Sequence, residues 1–293
     1  MSHPDTIDQK IDALFSTRAN EAIGIIPVDK KEIAAFLEGC DPATRDTMIR
    51  MQFGDKWNVL PLQIAPTVSG KRIGKGPVVL VAVDSSSPEA AFRDLPKRLK
   101  AYGIYKFAID LPTDIATIAA REWAIAGYQF TDRKSRSTLM PKLVLPKGVD
   151  KARVMAETKA NYIVRDLINS PPNEMGPLAL AIYAEKIGDA HGAQTGISLN
   201  EALKNRFPLI HAVGQGAKDG PRLIEINWTG DKDGPMITLI GKGVCFDTGG
   251  YSLKPSASMD GMKGDMAGAA HVLGLAHMIM AAKLPVRLRV LAP

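Results

Sequence analysis

Apolar positions in the first half of the chain alternate between short unbroken runs and helically spaced sets. Trp57–Ile64 (WNVLPLQI) is apolar and bounded by polar residues and proline, and Pro77–Val83 (PVVLVAV) is a β-branched run suited to a strand buried on both faces. Glu89–Ala101 follows with Ala91, Phe92, Leu95 and Leu99 near helical spacing, and Pro96 is placed to kink or split that helix. Tyr105–Ile109 (YKFAI) predicts another short strand and Ile115–Tyr128 an apolar helix. This alternation predicts an α/β layer with a largely parallel sheet.

The composition turns polar and basic at Thr131–Ser137, ahead of the apolar Leu143–Pro146, and Lys147–Asp150 has the character of a linker. Two domains are therefore expected, 1–146 and 147–293. A long helix is predicted over Lys151–Asn169, with Ala156, Ala160, Ile163, Val164 and Leu167 on its apolar side, stopped by Ser170-Pro171-Pro172-Asn173. The second α/β unit continues with a helix Pro177–Ile187 and strands Leu209–Val213, Arg222–Trp228 and Met236–Gly241. After a glycine-rich loop come a helix Asp260–Ala282 and an alternating strand Val286–Leu291. Pro293 directly follows that strand, which is read here as the mark of a truncated domain.

Composition changes this picture little. Of the 293 residues 45% are hydrophobic and 23% charged, the balance of a folded globular chain rather than a disordered one. No apolar run approaches the roughly 20 residues that span a bilayer, and MSHPDTIDQKID lacks the apolar core of a signal peptide, so a soluble, cytoplasmic protein without a membrane partner is expected. Cys40 and Cys245 are too few for a disulfide framework, and Cys245 reads as a small buried filler rather than a nucleophile. The formal charge of +6 is scattered. Its densest patches, Lys71, Arg72 and Lys75 and then Arg133, Lys134 and Arg136, read as solvated loops before they read as nucleic-acid contacts.

The chemistry concentrates in Ile240–Met266, IGKGVCFDTGGYSLKPSASMDGMKGDM, which carries Lys242, Asp247, Lys254 and Asp265 in that order. Gly241, Gly243, Gly249 and Gly250 let the backbone turn sharply and approach a bound group. The loop leaves the end of a predicted strand, where open α/β sheets place ligands. Asp265 is expected early on the following helix, three residues after Met262. Two carboxylates with no histidine among them suit a hard divalent cation bound through oxygen. Taken singly, an aspartate in a glycine-rich turn is usually a turn former, a lone lysine is usually solvated, and a Gly-Lys-Gly loop could hold a phosphate. Their joint order carries the reading.

That order, in GKGVCFDTGG, SLKPS and MDGMKGDMAGAA, closely resembles the signature of the leucine aminopeptidase family of dinuclear metallopeptidases. Further similarity runs through RDLINSPPNEMGP (Arg165–Pro177) and VGQGAKDGPRLIEINW (Val213–Trp228), covering most of Lys151–Pro293; the first half is similar in layout alone. The resemblance implies an α/β metallopeptidase domain with a central mixed sheet flanked by helices. Lys242 would ligate one metal as a neutral amine, the form that adjacent cations favour. Asp247 would bridge two metals, and Asp265 would share the metal held by Lys242. Lys254 would be the catalytic cation that polarises the scissile carbonyl, and Met262 would line the pocket for the substrate's first side chain, although a helix-face methionine is more often plain core. The resemblance further implies two divalent ions per subunit (manganese, zinc or magnesium), a homohexamer, and short peptides with a free N-terminus as substrates. The family continues into an Asp-x-Glu-Gly-Arg motif that supplies two more carboxylate ligands and an arginine for a bicarbonate. These 293 residues contain no such motif, so the chain alone is expected to hold half a metal site and to be inactive.

Rival readings are weaker. Val213-Gly214-Gln215-Gly216 with Gly220 has its third glycine misplaced for a dinucleotide fingerprint, and Pro221 intervenes, which favours a structural turn. The Gly70–Gly76 stretch lacks P-loop spacing and reads as a hairpin or loop. His191, His211, His271 and His277 form no His-Glu-x-x-His arrangement; His271 and His277 read as packing or surface residues on different helix faces. A DNA-binding architectural role, an inactive truncated homologue, and a nucleotide-binding first half remain as alternatives. Neither the DNA-binding role nor the nucleotide-binding first half accounts for the clustered lysines and aspartates.

Overall fold

A computed structural model of the chain describes residues 4–130 and 139–293; the basic stretch Thr131–Ser137, with Arg133, Lys134 and Arg136, lies outside the described residues. The chain divides into two compact units, one of Asp8–Thr158 and one of Lys159–Pro293 joined by the start of the first helix. The division falls inside a helix, Lys151–Asn169, rather than in the residues ahead of it.

Helix α1 (Pro4–Asp12) precedes β1 (Phe15–Ser16), β2 (Ile23–Asp29), α2 (Ile33–Gly39), α3 (Pro42–Arg50) and β3 (Val59–Leu62). The hairpin β4–β5 (Thr67–Val68, Lys71–Arg72), β6 (Val78–Val83), α4 (Glu89–Asp94), β7 (Ile104–Phe107), α5 (Thr113–Ala126) and β8 (Lys142–Val144) complete the first unit. Its sheet runs β1-β8-β7-β2-β6-β3, parallel except where β3 meets β6. All six side chains of β6 are buried, as its unbroken apolar run predicts. Val79, Val81 and Val83 pack with Ile25, Phe92, Leu95 and Trp123 on one face, and Val78, Leu80 and Ala82 pack with Ile26, Met48, Phe53 and Leu60 on the other. Pro96 acts as the sequence suggests: α4 ends at Asp94 and a 3-10 turn, Leu95–Arg98, takes over. On α5, Glu122 is 2% exposed, and its carboxylate accepts bonds from Arg93 Nε (2.5 Å) and Arg121 Nε (3.1 Å). Lys71, Arg72 and Lys75 are exposed, in and after the β4–β5 hairpin.

Helix α6 (Lys151–Asn169) has the bounds its apolar spacing predicts, with Ala160, Ile163 and Leu167 buried. It is followed by α7 (Pro177–Ala190), β9 (Gln194–Ser198), α8 (Asn200–Arg206), α9 (Pro208–Gly214), β10 (Leu223–Thr229) and β11 (Met236–Ile240). Short α10 (Ser256–Met259), long α11 (Ala267–Ala281) and β12 (Arg287–Ala292) end the order. The sheet here is mixed, β11-β12-β10-β9, with β11 parallel to β12 and the other pairs antiparallel. Ile224, Ile226, Leu288 and Val290 alternate onto its buried face, against which α7 and α11 pack.

Two expectations are corrected. Leu209–Val213 is helix, not strand: Pro208 sits at the first position of α9, and Leu209 and Val213, one turn apart, are both largely exposed. The helix predicted from Asp260 begins at Ala267, because Gly261 and Gly264 break the preceding stretch into α10 and a 3-10 turn, Met262–Gly264. Asp265 therefore lies in the turn before α11, not on the helix, with its N–H bonded to Met262 O (3.0 Å).

Candidate active site

The site begins where β11 ends. Gly241 N–H donates to Leu291 O (3.0 Å) and Gly243 N–H to Pro293 O (2.8 Å), so the segment stays pinned beside β12 past the last ladder residue. Lys242 O accepts from Ala269 N–H (2.9 Å), tying the segment to the first turn of α11. Two glycines permit this crossing. A Cβ on Gly241 would lie 2.3 Å from Gly268 O, and one on Gly268 would lie 2.8 Å from Lys242 N. Across the crossing, Lys242 Nζ reaches Asp265 Oδ1 at 2.6 Å.

The second ion pair is built by the loop that follows. Gly249 and Gly250 adopt φ of +95° and +79°, a region open to glycine at no steric cost. Asp247 Oδ1 accepts the Gly249 N–H (2.8 Å), Lys254 N–H returns to Thr248 O (2.9 Å), and Lys254 Nζ stands 3.1 Å from Asp247 Oδ2. The Gly249 amide and then the Lys254 ammonium hold the Asp247 carboxyl below its usual range, with a further contribution from Lys242. Lys242 thus acts on both aspartates, and the two pairs share one neighbourhood. Met262, half-buried, opens the 3-10 turn that Asp265 closes.

One atom departs from this pairing. Asp265 Oδ2 is sealed from solvent and has no hydrogen-bond partner. An ionised carboxylate oxygen in that condition is costly unless a cation or donor completes it. Among the described residues no group of three or more His, Cys, Asp and Glu side chains converges as a metal site; the structure brings Lys242, Asp247, Lys254 and Asp265 together as two lysine–aspartate pairs.

Two further features were not singled out in the sequence. Asp219 Oδ2 accepts the Leu178 N–H in the first turn of α7 (2.8 Å), and its Oδ1 takes Arg222 Nη1 (2.6 Å). A cavity of about 370 Å³ adjoins Lys242, walled mainly by Leu209, Ile210, Val213, Val244 and Phe246. The Asp-Gly turn at 219–220 was the available signal for the first; the second depends on reading 209–213 as helix. Cys245 is buried, and desolvation, followed by the nearby Asp219 charge, pushes its thiol up to about 12, which fits a filler and not a nucleophile.

Known proteins resemble this chain in sequence and in fold. Residues 162–293 match the model of the cytosol aminopeptidase family, catalytic domain. This part of the chain is similar to the catalytic domain of that family of peptidases. A probable cytosol aminopeptidase of Streptomyces griseus is 30% identical over 270 residues, 92% of this chain and 48% of that protein. One from Agrobacterium fabrum is 37% identical over 195 residues, 60% of this chain and 39% of that protein. The crystal structure of cytosol aminopeptidase from Coxiella burnetii superposes with a TM-score of 0.81 at 33% identity, covering 96% of this chain and 60% of its own. The bottromycin maturation enzyme BotP, in complex with Mn, shares the fold with a TM-score of 0.74 at 23% identity, covering 94% of this chain and 59% of its own. The chain thus spans about half the length of the first of these curated relatives, and less of the second.

Proposed function

We propose that this chain carries the first part of a metal-dependent aminopeptidase site that releases N-terminal residues, leucine and other apolar ones among them, from short peptides. The observation that carries the reading is the sealed, partnerless Asp265 Oδ2 beside Lys242 Nζ. Lys242 and Asp265 would hold one divalent ion, and Asp247 would lie between it and a second; manganese, zinc and magnesium all suit this donor set. When bound, such ions supply an activated water, charge neutralisation and a hold on the free α-amine.

The remaining work falls to this chain's own side chains. To hold an ion, Lys242 would lose a proton to solvent and, with Asp265, give up their mutual bond, and the backbone crossing at Gly241 and Gly268 would keep both within reach. Asp247 stays ionised because the Gly249 amide and the Lys254 ammonium both favour its charged form. Lys254, anchored at Thr248 O, presents an ammonium able to leave Asp247 and donate to the peptide carbonyl oxygen as negative charge builds there. Met262 would border the first side chain of the substrate. A homohexamer in the cytoplasm completes the reading. Among the described residues no helix is long and apolar enough to cross a membrane. Neither the architectural DNA-binding role nor the inactive homologue is favoured by the family match.

The test is leucine p-nitroanilide hydrolysis with Mn2+, by this chain and by a form extended with the relatives' remaining catalytic segment, including Asp-x-Glu-Gly-Arg. The extended form is expected to turn over, and Asp247→Ala and Lys254→Ala to abolish turnover. Unchanged rates in both substitutions would overturn the assignment.

A further inference from the structure

Away from the site, two histidines meet inside the second unit. His191, at the C-terminal cap of α7, places Nε2 2.9 Å from Nδ1 of His277 on α11, with ring centroids 4.9 Å apart. His277 is 6% exposed, and its outer nitrogen, Nε2, is sealed without a partner, whereas His191 is half-buried. Helix α6 contributes Lys159, the other charged group acting on both rings.

We propose that the His191–His277 contact is an acid-released latch: it ties the end of α7 to α11 while the two rings hold two protons, and it opens when they must hold a third. The argument is a count of protons over four nitrogens. The contact needs one hydrogen between the two facing nitrogens. With both rings neutral, the second hydrogen can sit on His191 Nδ1, which leaves His277 Nε2 bare. A third proton, with the contact kept, fills both outer positions and so creates an N–H at His277 Nε2 with no acceptor. It also creates a cation that lies in the core beside Lys159. The cheaper course is for the half-buried His191 to turn toward water and take the proton there. Breaking the contact in this way leaves a His277 N–H without its acceptor, as keeping it would, and the saving is that the charge sits in water rather than beside Lys159.

Burial, then the neighbouring ring and Lys159, pull His277 down to about 3, and burial followed by Lys159 lowers His191. The sign follows. Both folded values lie below the unfolded one, so stability is full above about pH 6.5 and falls as acid protonates the unfolded chain preferentially. Helix α11 runs about 15 Å from His277 back to Ala267, two residues after Asp265, so release loosens the helix whose first turn braces the candidate site.

Urea unfolding at pH 7.5 and 5.5 tests the latch in a window above ordinary carboxylate titration. A single histidine kept neutral lowers the folding equilibrium about tenfold at pH 5.5, and His277→Leu should remove that loss. In parallel, long-range 1H–15N NMR of the unsubstituted chain should show His277 in its Nδ1–H form at pH 7.5. As His191 becomes imidazolium, the contact should disappear while His277 stays neutral. An equal acid loss in His277→Leu overturns the proposal. So does an imidazolium at His277, or a His191 imidazolium that keeps the contact, in the folded protein. If His277→Leu fails to fold, the NMR titration decides alone.

Discussion

Replacing Gly268 by alanine probes the backbone crossing that places Lys242 opposite Asp265. Two effects of opposite sign compete. Near the start of a helix the change gains up to about 1 kcal/mol in intrinsic propensity, and a glycine that is exposed, as Gly268 is, ordinarily realises much of that. Here the new Cβ would stand 2.8 Å from Lys242 N and 3.4 Å from Lys242 O. The nearest atom is backbone, held by the Ala269 N–H bond to Lys242 O and by the bonds that pin Gly241 and Gly243 to β12, so it cannot swing aside as a side chain would. Overpacking of this kind costs about 1–3 kcal/mol. The overlap therefore cancels or outweighs the propensity, with a net loss of about 0–2 kcal/mol, or a Tm lower by up to roughly 3 °C for a chain of this size. The larger effect should fall on metal. If Lys242 and Asp265 share an ion as proposed, shifting the α11 start from the Lys242 backbone separates them and should lower metal affinity about 10–100-fold. Calorimetric Mn2+ titration together with thermal melting in EDTA separates the two effects. If Gly268→Ala bound Mn2+ as tightly as the parent chain, the crossing would not be what sets the ligand geometry.

Two further outcomes follow from groups already described. Glu122→Gln keeps the shape of the side chain but removes the charge that faces Arg93 and Arg121 from a buried position. Because both arginines can partly regain water, the loss should be about 2–4 kcal/mol in urea unfolding and little changed by 1 M salt; a loss below about 0.5 kcal/mol would show the pairing to be dispensable. Desolvation pushes the Cys40 and Cys245 thiols up to about 11 and about 12, so both should resist iodoacetamide at pH 8 in the folded chain and react once unfolded. Rapid native labelling of Cys245 would contradict its burial.

What could be read from the sequence depended on the length and punctuation of each pattern. Helix α6 carries nineteen residues of consistent spacing ended by two prolines, and its bounds match those predicted. β6 was legible because an unbroken β-branched run has one economical fate, burial on both faces. Leu209–Val213 is ambiguous in the sequence because four apolar residues around His211 fit a strand and a helical turn equally; Pro208 at a helix start and a second short helix just before it decide the matter in three dimensions. β9 went unnoticed because its residues, Gln194–Ser198, have little apolar character and are held by pairing with β10. In the site, the residue types and their order were visible in Lys242, Asp247, Lys254 and Asp265. The pairing of Lys242 with Asp265 and of Lys254 with Asp247 was not, since it arises from the glycine crossing and the Gly249–Gly250 bend. Asp219, which caps α7 from 41 residues away, lies beyond any local pattern.

The order of the second sheet also bears on how the molecule is made. Strand β12 is synthesised after β9, β10 and β11, yet it sits between β10 and β11. Until it emerges from the ribosome, β11 has no ladder partner, while the segment bearing both lysine–aspartate pairs has already left the tunnel ahead of it. The loop with the two pairs is thus born before the strand that pins it, and its geometry arrives as β12 inserts between β10 and β11.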